Sequence, residues 1–178
     1  MRNLAFAILM VTGVFVFGIS SVSAQMNDKA MSNKKNVVEI AMGSNDHTTL
    51  VAAVKAAGLV ETLSGKGPFT VFAPTNAAFN ALPAGTVETL LKPENKAMLT
   101  GILTYHVVAG NMDSKAILKA IKKGNGKAML TTVQGGMLTA SLDGTSVVLT
   151  DEKGGMSKVS VVDLKGSNGV IHVIDTVV

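Results

Sequence analysis

Cysteine and tryptophan are absent from the 178 residues, tyrosine occurs once, and Arg2 is the sole arginine. Without cysteine the chain has no disulfide, thiolate zinc site, iron–sulfur cluster, cysteine nucleophile or lipid-modified amino-terminal cysteine, so any anchorage is non-covalent. Charge is also sparse. Only 16% of residues are charged against 47% apolar, the balance of a folded domain rather than a disordered chain. The sequence pI of 9.4 suggests a nucleic-acid partner, yet from Val37 onward twelve lysines face eleven acids, so that region is nearly neutral. With no arginine forks for phosphate or guanine there and one tyrosine for stacking, no nucleic-acid binding is expected.

Much of the apolar content lies in Leu4–Gly18, preceded by Arg2 and followed by Val22-Ser23-Ala24. A charged start, an apolar run and small residues two apart form a secretory signal peptide over residues 1–24, cleaved after Ala24. A retained membrane helix competes with this reading, because the run nearly reaches spanning length. Against it, Gly18, Ser20, Ser21 and Ser23 make a small polar exit in place of a basic stop-transfer segment. The expected product is a secreted or periplasmic protein of 154 residues beginning at Gln25, with no membrane span after cleavage.

Residues 25–36 are polar and without periodicity and read as a flexible leader. Met26 and Met31 are too few to make a strong soft-metal signal, and neither a metal nor a cofactor is expected. Residues 37–178 suit one domain, expected to be a monomer. Its first half is helical in period. Val37, Val38, Ile40 and Ala41 form an apolar turn, and Asn45-Asp46 offers a cap for the stripe Leu50, Val51, Val54, Ala57 before a stop at Gly58. Phe69–Ala73 reads as a buried strand. Thr75 caps a helix that points Phe79 and Leu82 inward, and a further helix over Glu94–Thr104 turns Met98, Leu99, Ile102 and Leu103 toward the core. Tyr105–Val108 is strand-like, and Asp113 or Ser114 caps a helix through Ile117, Leu118 and Ile121.

After Gly124 the period drops to two. Five β-rich runs are separated by Gly135-Gly136, Asp143-Gly144, Gly154-Gly155 and Asn168-Gly169, as in antiparallel hairpins. Helices in the first half and strands in the second specify an α+β class. In Val170–Ile174 both alternating faces are apolar, so this strand belongs in the middle of its sheet.

No catalytic constellation stands out. His47, His106 and His172 lack metal-ligand spacing, there is no Gly-x-Ser-x-Gly elbow, Gly124-Asn-Gly126-Lys127 lacks the first glycine and the Ser or Thr of a phosphate loop, and Gly65-Lys-Gly67 lacks the third glycine of a dinucleotide fingerprint. His106 and His172 lie in apolar runs and read as hydrogen-bonded core residues rather than bases.

Three segments, Gly67–Phe79, Leu103–Val108 and Asn168–Asp175, resemble in order and spacing the conserved blocks of the fasciclin (FAS1) domain family, and the resemblance covers Val37 to Val178. It implies helices packed beside a β-sandwich-like pair of sheets, and use as an extracellular adhesion module, here of the small secreted bacterial type. In animal matrix members an Asp-Ile pair before the closing block and the Tyr-His segment are linked to integrin binding. Asp163-Leu164 occupies the first position and Tyr105-His106 the second, while Phe69, Phe72, Phe79 and His172 form the structural core of the motifs. The lead Val161-Val162 is more apolar than in those members, which weighs against an exposed recognition loop there. The expectation is thus a non-enzymatic module for a cell-surface or matrix protein or polysaccharide, with Asp163 as an exposed contributor and Tyr105, His106 and His172 as scaffold. The alternative is a carrier or sensor of a small apolar ligand or polysaccharide in a cleft between helices and sheet, with Met98, Met112, Met129 and Met137 as its support. An esterase-like activity is a distant third reading.

Overall fold

A computed structural model describes residues 34–178, so the expected signal peptide and most of the leader lie outside the described residues. The first helix, α1 (Val37–Met42), starts where it does because Asn36 accepts a hydrogen bond from Glu39 N–H while the Glu39 carboxylate accepts from Asn36 N–H. This reciprocal box satisfies two otherwise orphaned donors. Lys35 and Asn36 therefore belong to the folded unit, although the sequence pattern placed them in the leader; Ser167 N–H also donates to Lys35 O.

Helices α2 (Thr48–Ala57) and α3 (Val60–Ser64) follow, with Gly58 ending α2 in the left-handed region at φ 73°. Asn45 and Asp46 do not cap α2; they form a 3-10 turn, Asn45–His47. The cap comes from further along the chain, since the Asn76 side-chain oxygen accepts from Thr49 N–H and from the Thr48 hydroxyl. Strand β1 (Phe69–Pro74) leads into α4 (Asn76–Asn80), capped by Thr75 as the pattern predicts, then α5 (Thr86–Leu90) and α6 (Lys96–Tyr105). The buried stripe of α6 is Leu99 and Leu103, and Met98 is 61% exposed rather than inward. Tyr105 closes α6 instead of opening a strand, and β2 is only Val107–Ala109. Asp113 caps α7 (Ser114–Lys123) by accepting from Ala116 N–H.

The second half is the expected meander: β3 (Lys127–Thr131), β4 (Met137–Asp143), β5 (Ser146–Thr150), β6 (Met156–Lys165) and β7 (Gly169–Ile174). Together the strands form one mixed sheet of seven in the order β2-β1-β7-β6-β5-β4-β3. The β1–β7 pair is parallel, which hairpin turns alone do not predict. The sheet curls until its ends meet, Val108 bridging Thr132 and Val133 N–H donating to Val107 O, so it is nearly closed. Strand β6 spans the two halves of this curl, pairing with β5 through Met156–Lys158 and with β7 from Val159 onward, across two register shifts. Bulges bend a strand in this way.

Two apolar clusters flank the sheet. One holds α1, α2, α3 and α6 against Ala73 and Ile171, and the other holds α7 against β3–β5 together with Phe72 and Ile174. Each residue of β7 is buried, which confirms its central place. Phe72 is completely buried and Phe79 is buried, while Phe69 is only partly so and packs against the first cluster. Full burial of a side chain like Phe72 contributes about 1.5–3 kcal/mol.

Candidate functional site

The polar residues within these apolar strands converge on one segment, the 110–114 connection that launches α7. From β7, His172 Nε2 donates to Met112 O at 2.8 Å; from β1, the Thr70 hydroxyl donates to Gly110 O at 2.7 Å and accepts from Met112 N–H at 2.8 Å. From β6, the Asp163 carboxylate accepts from Ser114 N–H at 2.7 Å and from the Ser114 hydroxyl at 2.5 Å. Three neighbouring strands thus fasten one loop, and the negative charge of Asp163 sits favourably at the amino end of α7. Asp163 is held at φ 61° within the second register shift, between Val161 and Leu164, where its N–H donates to His172 Nδ1 at 3.4 Å. His172 has no exposed surface, and its ring stacks on Phe72 with centroids 5.6 Å apart. The parallel register that sets Phe72 beside His172 makes that stack.

His172, Asp163 and Ser114 superficially invite a hydrolase reading, but their connectivity excludes it. In a working triad the imidazole faces the serine and the carboxylate orients the imidazole. Here Ser114 bonds the carboxylate directly, and the imidazole touches only the main-chain N–H of Asp163.

His106 and Tyr105 do a second fastening job. Buried His106 donates from Nδ1 to Ile102 O at 2.8 Å, closing the last turn of α6, and accepts at Nε2 from Val178 N–H at 3.3 Å. The half-buried Tyr105 donates its hydroxyl to Met137 O at 2.9 Å, and its ring lies so close to Gly136 that a Cβ there would come within 2.5 Å of it. Burial is the main cause that raises the Tyr105 hydroxyl above its ordinary pKa, with the charges of Glu152 and Asp151 adding to it and a hydrogen bond from Glu152 N–H opposing.

Tyr105, His106 and His172 each bond main-chain groups of other segments or of the preceding helical turn. Asp163 differs from its sequence reading as an exposed contributor, because both carboxylate oxygens are engaged inside the domain. Burial pushes its carboxyl up, but the Ser114 hydroxyl and N–H, His172 and Lys165 together hold it below the ordinary value. Leu164 packs against the helix-side cluster. What does face outward is the preceding pair: Val161 is 44% exposed and Val162 43%. In a regular strand consecutive side chains take opposite faces, and here the bulge turns both toward solvent.

Sequence reasoning missed two residues. Asn168, read only as part of a turn, accepts from Val37 N–H and donates to Leu63 O and Gly65 O, tying α1 and α3 to the β6–β7 connection. His47 is 5% exposed, with Nδ1 2.8 Å from the Ser44 hydroxyl. Its Nε2 is buried without a hydrogen bond of acceptable geometry, although the nearby Ala73 carbonyl favours the protonated ring. The role of Asn168 depends on segments brought together by folding, whereas His47 bonds Ser44 only three residues away, a contact that the sequence reading did not weigh.

Burial lowers His47 and His106 below the ordinary histidine value, outweighing Asp46 in the first case and the Ile102 carbonyl in the second. Between those lowered values and 6.5 the unfolded chain takes up protons that the folded chain refuses. Stability is consequently complete above pH 6.5 and lost as pH falls below it, by at most about 1.4 kcal/mol per pH unit for each histidine. Melting curves from pH 7.5 to 5 should show this decline, and His47→Asn should flatten it. A flat profile in the unsubstituted protein would refute the burial argument.

Among the described residues, the cleft expected between helices and sheet corresponds to narrow apolar cavities, one of about 20 Å³ beside His47 and a larger one of about 30 Å³ bounded by α1, α2, α3, α6, β1, β2 and β7. That is room for about one water molecule. Met98, Met129 and Met137 are exposed by 61%, 67% and 40%, so they do not line an interior site. Among the described residues no group of three His, Asp or Glu side chains converges as a metal site, and no helix is long and apolar enough to cross a membrane.

Known proteins are similar to this chain in sequence and in fold. The fasciclin domain model matches residues 45–178. Protein sll1483 of Synechocystis sp. is 49% identical over 160 residues, covering 88% of this chain and 79% of that protein. Transforming growth factor-beta-induced protein ig-h3 of Sus scrofa is 38% identical over 141 residues, covering 79% of this chain but 19% of its own length. Among solved structures, a FAS1 domain pair from the insect cell adhesion molecule fasciclin I superposes with a TM-score of 0.51 at 20% identity. The match covers 79% of this chain and 43% of that one, and it establishes the common fold.

Proposed function

The chain belongs to the fasciclin domain family, and from that premise we propose that it is an exported, non-enzymatic interaction module that engages a cell-surface or matrix partner. One observation carries this reading. The hydrogen-bonding groups of Asp163, His106 and His172 that could act as acid, base or ligand are spent inside the domain, which leaves recognition to the outer surface. The solved relative described as a cell adhesion molecule supports the same use, and the pattern over residues 1–24 supports export.

Of the surface next to the Asp-Leu pair, the outward Val161 and Val162 supply the apolar contact, while Asp163 sets the shape of the bulge that presents them. Deleting the gene should reduce attachment of the host cells to surfaces or to one another. Replacing both valines with serine should reproduce part of that loss while shifting stability by no more than about 0.5 kcal/mol, as exposed substitutions do. Unchanged attachment of the deletion strain on several surfaces would end the adhesion reading. A carrier role for a small apolar molecule finds no support in a cavity of about 30 Å³.

A further inference from the structure

The lysines are nearly balanced by acids over the domain, but they are not evenly placed. Lys34, Lys66 and Lys165 come from three separate segments and border one open groove of about 710 Å³, which among the described residues no Asp or Glu lines. All three are exposed, and among the described residues none takes part in an ion pair. The groove runs between the loop 64–68, before β1, and the loop 165–169, before β7.

Its floor is made of backbone in close contact. A Cβ on Gly67 would lie 1.9 Å from Asn168 O, so no side chain fits there. Both loops are rigid for a definite reason: the Asn168 amide donates to Leu63 O and Gly65 O while its oxygen accepts from Val37 N–H. A cationic groove held in shape before binding loses little entropy when it is filled.

We propose that this groove binds an acidic polysaccharide, with Lys34, Lys66 and Lys165 meeting successive carboxylates along the polymer. The inference rests on the interaction-module reading and names the partner's chemistry. Lysines contributed by three segments around an open groove suit charges repeated along a chain better than one compact anion. Ser64, Ser167 and Asn111 line the same groove and offer hydrogen bonds to sugar hydroxyls. No aromatic ring lines it for base stacking, and Pro68 is its one exposed apolar side chain, too little to enter a lipid layer.

The test is retention and titration of the purified full chain on polygalacturonate, with neutral dextran and phosphatidylglycerol vesicles as the other arms. Binding to polygalacturonate and not to dextran is expected, weakening as salt rises. The double variant Lys34→Glu/Lys66→Glu should bind about tenfold more weakly with an unaltered melting temperature. Lys119→Glu/Lys123→Glu, with the same change in net charge on α7, should bind as the original does. Absence of polygalacturonate binding, equal retention on dextran, a preference for the vesicles, or equal weakening by the two double variants would each overturn the proposal. Should deletion impair attachment while polygalacturonate binding is absent, the module reading stands and the groove assignment falls; binding with normal attachment reverses that outcome.

Discussion

Replacing His172 with alanine should destabilise the domain by about 2–4 kcal/mol and lower its melting temperature by roughly 5–12 °C. The ring has no exposed surface, so its removal leaves a cavity beside Phe72 rather than a site that water can fill. It also strands the Met112 carbonyl, and a buried acceptor left without a donor costs about 1–3 kcal/mol. The damage should be directional. With the Met112 carbonyl released, the loop before α7 loses one of three attachments, and amide exchange in the first turn of α7 should quicken more than in β3–β5. His172→Gln can still reach Met112 O but not stack on Phe72, and it should fall between the two. A variant with an unaltered melting curve and a protected loop would contradict the fastening role.

Much of this framework is legible in the chain itself. Val170–Ile174 carries apolar residues on both faces, and only a strand covered on both sides tolerates that pattern, so its central place follows. Thr75 and Asp113 announce helix starts through a side chain that bonds three residues on, a distance that any reading of sequence can measure. What escapes is whatever a side chain does across the fold. Asp163 is matched to a recognition position by its place in the motif, but its partner Ser114 lies 49 residues away, and nothing local tells a free carboxylate from an engaged one. The α2 cap is similar, because Asn76 supplies it from 27 residues downstream of Thr49 while Asn45 and Asp46 have the chemistry but not the geometry. Met98 misleads for a narrower reason. It neighbours Leu99 in sequence, yet a step of one residue rotates a side chain by about 100° around a helix, off the buried stripe.

Gly169→Ala should cost about 3 kcal/mol or more. Asn168-Gly169 has the look of an ordinary turn dipeptide, but turn conformation is not what demands the glycine: Gly169 is absent from the positive-φ positions. The constraint is contact. Gly169 is in parallel register with Phe69, and a Cβ on it would lie 2.1 Å from Phe69 O and 2.9 Å from Phe69 C. Those atoms are main chain and cannot swing aside as a long side chain would. Relief requires β1 and β7 to separate at their starts, where Phe69 N–H bonds Asn168 O and Gly166 N–H bonds Gly169 O. Gly43→Ala is the matched control, since its Cβ would meet Glu39 O at an ordinary 3.5 Å and its φ is −81°. That change should be neutral or stabilising by up to about 1 kcal/mol, because alanine restricts the unfolded chain. Equal, small effects of the two substitutions in denaturant titrations would show that β1 and β7 do not approach this closely. A large difference would locate the requirement for glycine at position 169 in strand contact, and would predict that the lysine-bordered groove above it loses its shape in Gly169→Ala along with the fold.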